Sequence, residues 1–184
     1  MCARPSTHVY DRITIGLHWL TTILVIVLWL IGEFVEDLLD KGSLRSGVWS
    51  LHFILGFVLA GLIVALPLWR LTRGRQLTVE DRGPLHHLAK VTHTAIYLLL
   101  FVVVGLGIAN AFVRGVSLFG IVSLPQIGDR ELRRPLTRWH DLAGNILMIV
   151  ALFHAGAALV HHYRWRDAVL RRMLSATDAG VERP

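Results

Sequence analysis

The fold this sequence predicts is an all-α integral membrane protein, a four-transmembrane-helix bundle, and three observations carry the prediction. The 184 residues are 54% hydrophobic with a mean hydropathy of +0.55, above the apolar share of a water-soluble domain. The apolar residues fall in four blocks, 13–35, 48–71, 85–112 and 138–163, each close to or longer than the roughly 20 residues that cross a hydrocarbon core. A bilayer leaves no water to satisfy the backbone, so each block must be a helix. The chain 1–184 is expected to form one membrane domain.

The short polar N-terminus, MCARPSTHVYDR, precedes an apolar block that is too long for a signal peptide and lacks a small-residue cleavage site. It is expected to lead into a retained first helix carrying His18 and Trp19. Glu33, Glu36, Asp37 and Asp40 close that helix, and Lys41, Gly42 and Ser43 make a short loop. Helix two carries His52, with Gly56 one turn on, and Pro67 near its other end, where a membrane helix tolerates it. The connection from Arg73 to Pro84 is polar and turn-rich, without a phosphate-binding glycine pattern. His86 and His87 read as interfacial. Helix three presents His93 and Tyr97 on one face and contains Gly105 and Gly107.

The segment 113–137 is the longest connection. Its VSLFGIVSLP is apolar but too short to span, and is expected to lie in the interface as a lid. Arg130, Arg133, Arg134 and Arg138 follow as a basic cluster. Two readings stand beside each other: contact with lipid headgroups, or attraction of a small anion by a cleft of one charge sign. Helix four, RWHDLAGNILMIVALFHAGAALVHHY, is followed by a basic amphipathic tail, 164–174, expected on the membrane surface.

The net charge of +6 is explained by orientation rather than by nucleic acid. With the N-terminus inside, twelve Lys and Arg residues fall on inner segments and seven on outer ones, the positive-inside pattern. Both termini are therefore expected in the cytoplasm, and nucleic-acid binding is excluded as a function class. The six tryptophans sit near helix ends, as an interfacial belt requires. A single cysteine, Cys2, rules out an internal disulfide and any thiolate cluster, so a metal centre would fall to histidines.

Histidines inside membrane helices are expensive and are read as functional. His140 and His154 lie 14 residues apart, close to four helical turns, so helix four offers two imidazoles on one face about 21 Å apart. Matching depth pairs His18 with His154 at the inner level and His52 with His140 at the outer. Gly56 and Gly144, each four residues after an outer histidine, leave helix surface on which a flat macrocycle can rest, although glycine also serves close helix packing. Two stacked bis-histidine sites suit two haem b groups. Apart from Asp141 beside His140, neither pair has the further ligands of a tetrahedral zinc site. His93 reads as a haem-contacting residue rather than a ligand, since its helix brings no second histidine.

The stretches IGLHW at 15–19, LHFILG at 51–56, THTAIY at 92–97 and HDLAGNILMIVALFHAGAALVHHYRWRDAVLRRML from His140 resemble the bacterial cytochrome b561 family, from Tyr10 to about Leu174. The last stretch is similar to the stand-alone members that act as superoxide oxidases. The resemblance implies two b haems, held by His18 with His154 and by His52 with His140. It further implies that the outer haem accepts an electron from superoxide and that ubiquinone is reduced to ubiquinol after two transfers. It places His161, one heptad past His154, near the quinone; His161 also remains an alternative to His154 as inner ligand, and His162 points away.

The resulting expectation is a bacterial inner-membrane oxidoreductase passing electrons from periplasmic superoxide to ubiquinone, with Arg133, Arg134 and Arg138 steering the anion. The alternative is a cytochrome b subunit linking a periplasmic redox protein to the quinone pool, as in related hydrogenase subunits. An apolar docking patch on 113–137 would favour the partner, and a basic funnel superoxide. A haem-free scaffold or metal transporter is disfavoured, because zinc-like ligand sets and midplane carboxylates are missing.

Overall fold

Helix α1 (Arg12–Leu38) starts where Asp11 caps it, the carboxylate accepting from Thr14 N at 2.9 Å and from Thr14 Oγ1 at 2.7 Å. The same carboxylate accepts from Trp69 Nε1 at 3.0 Å, so the start of α1 is tied to the end of α2 (Ser43–Thr72), which runs unbroken through Pro67. Helix α3 (Pro84–Arg114) follows. It ends in a Schellman turn, in which Val116 N donates to Ala111 O and Gly115 N to Phe112 O, with Gly115 at φ +61°. The computed structural model describes residues 10–74, 84–166 and 170–174, without the side chains of 84–86 and 172. The polar connection 75–83, the N-terminal nine residues, the last ten residues and part of the basic tail lie outside the described residues.

The apolar lid expected between helices three and four is a small hairpin. Strands β1 (Ser117–Leu118) and β2 (Val122–Ser123) pair antiparallel around Phe119 and Gly120, both at positive φ, with Ile121 N donating to Leu118 O. The hairpin is fastened to α2 by Phe119 N donating to the buried Ser50 Oγ at 2.9 Å. A 3-10 turn, Arg130–Leu132, capped by Asp129, then feeds α4 (Arg133–Tyr163). Helix four thus begins five residues before the expected position 138. Pro135 does not delay it, because an amide in the first turn has no helical partner to lose. The other helices exceed their expected bounds by one to five residues, the polar flanks continuing the helix past the apolar block. A single turn, α5 (Arg171–Leu174), is held to α1 where Trp19 Nε1 donates to Met173 O at 2.8 Å.

Among the described residues four helices are long and apolar enough to cross a membrane. Helix α1 packs chiefly on α2 and α3 on α4, with α2 against α3; α1 and α4 touch least among these pairs. A central layer of Leu24, Leu28, Leu59, Ile63, Leu100, Val104 and Leu147 joins all four. Lipid tails are as apolar as these side chains, so shape and interhelical hydrogen bonds hold the bundle. One such bond, Trp29 Nε1 to Asn145 Oδ1 at 2.8 Å, links α1 with α4. One end of the bundle carries the hairpin and is called the loop end; the other is the terminus end.

Candidate functional site

The histidines gather at two levels. At the loop end His52 of α2 and His140 of α4 face each other with ring centroids 6.3 Å apart and planes at 76°. Helix α3 sets the His140 ring: His140 Nδ1 lies 2.9 Å from Val103 O. A carbonyl only accepts, so Nδ1 carries a proton, and Nε2 is the nitrogen left to ligate a metal. Gly107 makes room for that ring, since a Cβ there would sit 3.0 Å from His140 Cε1. His52 is flanked edge-on by Trp49 and Phe53. Its buried Nδ1 has no hydrogen bond, although the Leu28 backbone is close enough to act on the ring.

Between and around these imidazoles lies a cavity of about 800 Å³ lined by all four helices. Gly56 and Gly144 both line it, and a Cβ at either would meet only open space. Its charged lining comprises Glu33, Glu36, Asp37, Asp141 and one cation, Arg114. Arg45 pairs with Glu36 at 2.9 Å. Arg114 is held in place: Nε donates to Oδ1 of the buried Asn110 at 2.9 Å and Nη2 to Thr137 Oγ1 at 2.7 Å.

A haem fits this arrangement. Among the described residues no group of three or more His, Cys, Asp or Glu is placed to hold a bare metal ion. Two opposed imidazoles across a roomy, glycine-faced cavity suit a metal that brings its own planar ligands, with metal–imidazole bonds of about 2 Å on either side.

At the terminus end three imidazoles from three helices converge. The His93 and His154 rings are 5.0 Å apart, and His18 and Arg70 lie close enough to act electrostatically on His93. His18 is likewise within reach of His154 and Arg70. His93, expected only as a contact, is thus in direct ring contact with His154. That separation is shorter than at the loop end and leaves no space for a group between these two rings. His161 is half-buried with its ring 4.4 Å from Trp165. His162, expected to point away, is half-buried with Nδ1 lacking a hydrogen bond. His87 is exposed, and the side chain of His86 lies outside the described residues.

The expected arginine cluster is divided. Arg133 turns back on the end of α3, its Nε 3.4 Å from Val113 O and Nη2 3.4 Å from Arg114 O. Arg134 and Arg138 line a separate groove with Pro135, Trp139 and Leu142. None of the three lines the histidine cavity. Sequence reasoning passed over Val103, Asn110, Arg114, Thr137 and Arg70. Gly107 stood out only as one glycine among several, and nothing in the pattern of α3 marks which of its faces meets a histidine.

A family model described as prokaryotic cytochrome b561 matches residues 9–176. The chain is 32% identical over 170 residues to a "Probable superoxide oxidase CybB" of Yersinia pestis, covering 90% of this chain and 95% of that protein. It is 29% identical over 182 residues to "Cytochrome b561 homolog 2" of Escherichia coli strain K12, covering 94% and 95%. A "Cytochrome b562" of Cereibacter sphaeroides is 30% identical over 171 residues, covering 90% and 94%.

Proposed function

The chain belongs to the prokaryotic cytochrome b561 family, and from that premise we propose that it oxidises superoxide on one face of the membrane and reduces ubiquinone at the other. The family places it among multi-pass proteins of the bacterial inner membrane that transfer electrons and carry b-type haem. Bound haem b supplies a one-electron couple whose potential follows from its axial ligands and surroundings. In our reading His52 and His140 hold one haem at the loop end, with Gly56 and Gly144 against its faces. His18 and His154 hold a second at the terminus end, His93 contacts it, and His161 meets the quinone. The bias of basic residues puts both termini in the cytoplasm.

The observation that carries this reading is the facing pair His52 and His140 across a four-helix cavity. Val103 fixes the His140 ring and so leaves one nitrogen free to ligate. Arg114, fixed by Asn110 and Thr137, is the cation that meets an anion entering there; Arg134 and Arg138 open elsewhere. The overall exchange balances as two superoxide ions, one quinone and two protons giving two dioxygen molecules and one quinol. In this reading His161 passes a proton to the quinone oxygen. The named activity of the Yersinia relative supports the donor.

A second reading has its own observation. Glu33, Asp37 and Asp141 line the same cavity, and carboxylates repel superoxide while favouring a cationic redox protein. Rapid mixing decides between them. Oxidised protein is mixed with superoxide while the reduced-haem absorbance is followed, with and without ubiquinone. Fast reduction that quinone reverses supports superoxide oxidation; haems that stay oxidised with superoxide yet are reduced by a basic donor protein overturn it in favour of the partner.

A further inference from the structure

Helix α4 carries a second groove, on the face opposite its histidines. His140 and Leu142 are two residues apart, about 200° around a helix of 3.6 residues per turn, so the groove of Arg134, Pro135, Arg138, Trp139 and Leu142 lies away from the histidine cavity. This groove encloses about 460 Å³. Arg134 and Arg138 stand one turn apart on its rim. Among the described residues neither guanidinium has a hydrogen bond or an ion pair. Like charges at this spacing repel, and an anion between them reverses that penalty.

Below the arginines the same face is exposed and apolar: Leu142, Ile146, Ile149 and Phe153, the last 75% exposed. From Leu142 to Phe153 the strip descends about 16 Å at 1.5 Å per residue, half of a hydrocarbon core of about 30 Å. Trp139 sits at the level where interfacial aromatics anchor. A basic fork above an apolar strip as long as one leaflet matches one chemistry, a phosphodiester carried on acyl chains.

We propose that the groove on α4 is a binding site for an anionic phospholipid such as phosphatidylglycerol, its phosphate between Arg134 and Arg138 and an acyl chain along Leu142, Ile146, Ile149 and Phe153. Guanidinium forks bind phosphate oxygens in pairs, which lysines do less well. The site does not depend on the redox reading of the opposite face.

The test uses the full-length haem-loaded protein in mixed phosphatidylglycerol and phosphatidylcholine nanodiscs, reading retained lipid by native mass spectrometry. Wild type is expected to retain phosphatidylglycerol preferentially. Arg134→Gln and Arg138→Gln are each expected to lower that preference roughly fivefold, and together to abolish it, with haem absorbance unchanged. Arg130→Gln, which removes a nearby charge outside the groove, is expected to keep it; Arg138→Lys, which keeps the charge but not the fork, should fall between. Should the double variant not fold, the two single variants give the same reading. Equal retention of the two lipids by wild type, an unchanged preference in the single variants, equal loss in Arg130→Gln, or abolition of the preference by inorganic phosphate would each overturn the proposal.

Discussion

At Gly107 the chain has no side chain because the His140 ring stands where one would go, 3.0 Å from the position of a Cβ. Gly107→Ala should displace the ring from Val103 O, an overpacking change of about 1–3 kcal/mol. It is expected to weaken haem retention and shift the spectrum at the loop-end site while leaving the other unchanged; pyridine haemochrome and absorbance measurements check this. His52→Ala or His140→Ala goes further and should remove one haem of two, and two haems retained in both variants would refute the pairing. Arg114→Gln is expected to keep haem content but slow reduction by superoxide about tenfold and flatten its dependence on ionic strength, read in the rapid-mixing assay at two salt concentrations. The histidines were visible in the sequence because imidazoles are rare in membrane helices and their depth can be counted along the chain. Gly107, Val103 and Arg114 were not, because their meaning depends on the rotation of α3 against α4, which an almost uniformly apolar helix does not encode in its pattern.

The elements were readable to different degrees for a similar reason. Apolar length alone located four helices, since the bilayer fixes how long they must be. It did not locate the start of α4, where Asp129 and the 3-10 turn set the first turn among polar residues. Nor did it show that VSLFGIVSLP folds back on itself, which rests on Phe119 and Gly120 adopting positive φ and on Ser50 accepting from Phe119 N. Ser50→Ala leaves that amide without its partner and is expected to cost about 1 kcal/mol. The effect should be local: faster amide exchange and proteolysis at 116–124, with unfolding of the bundle nearly unchanged. The α1–α4 contact is thinner, so its Trp29–Asn145 hydrogen bond counts for more. Asn145→Leu is expected to lower stability by roughly 0.6–1.7 kcal/mol, measured by thermal unfolding in one fixed detergent.

For the whole molecule, direction decides what the chemistry accomplishes. The cavity of His52 and His140 opens at the loop end, and the convergence of His18, His93 and His154 lies at the terminus end. In the proposed function electrons cross the bilayer between these two ends, and which compartment supplies them follows from which end faces out. In the orientation proposed from the bias of basic residues, the loop end meets the periplasm, where an anion unable to cross the membrane would have to be met. The chain offers its own probe, because Cys2 is its single cysteine. An impermeant maleimide added to intact spheroplasts should leave Cys2 unlabelled until the cells are opened. In a Cys2→Ser background, Ile121→Cys places a thiol at the hairpin tip, where Ile121 is 86% exposed; it should be labelled at once from outside. The reverse pattern would put the histidine cavity on the cytoplasmic side. Superoxide made in the periplasm would then have no route to His52 and His140, and the donor would have to be a cytoplasmic one.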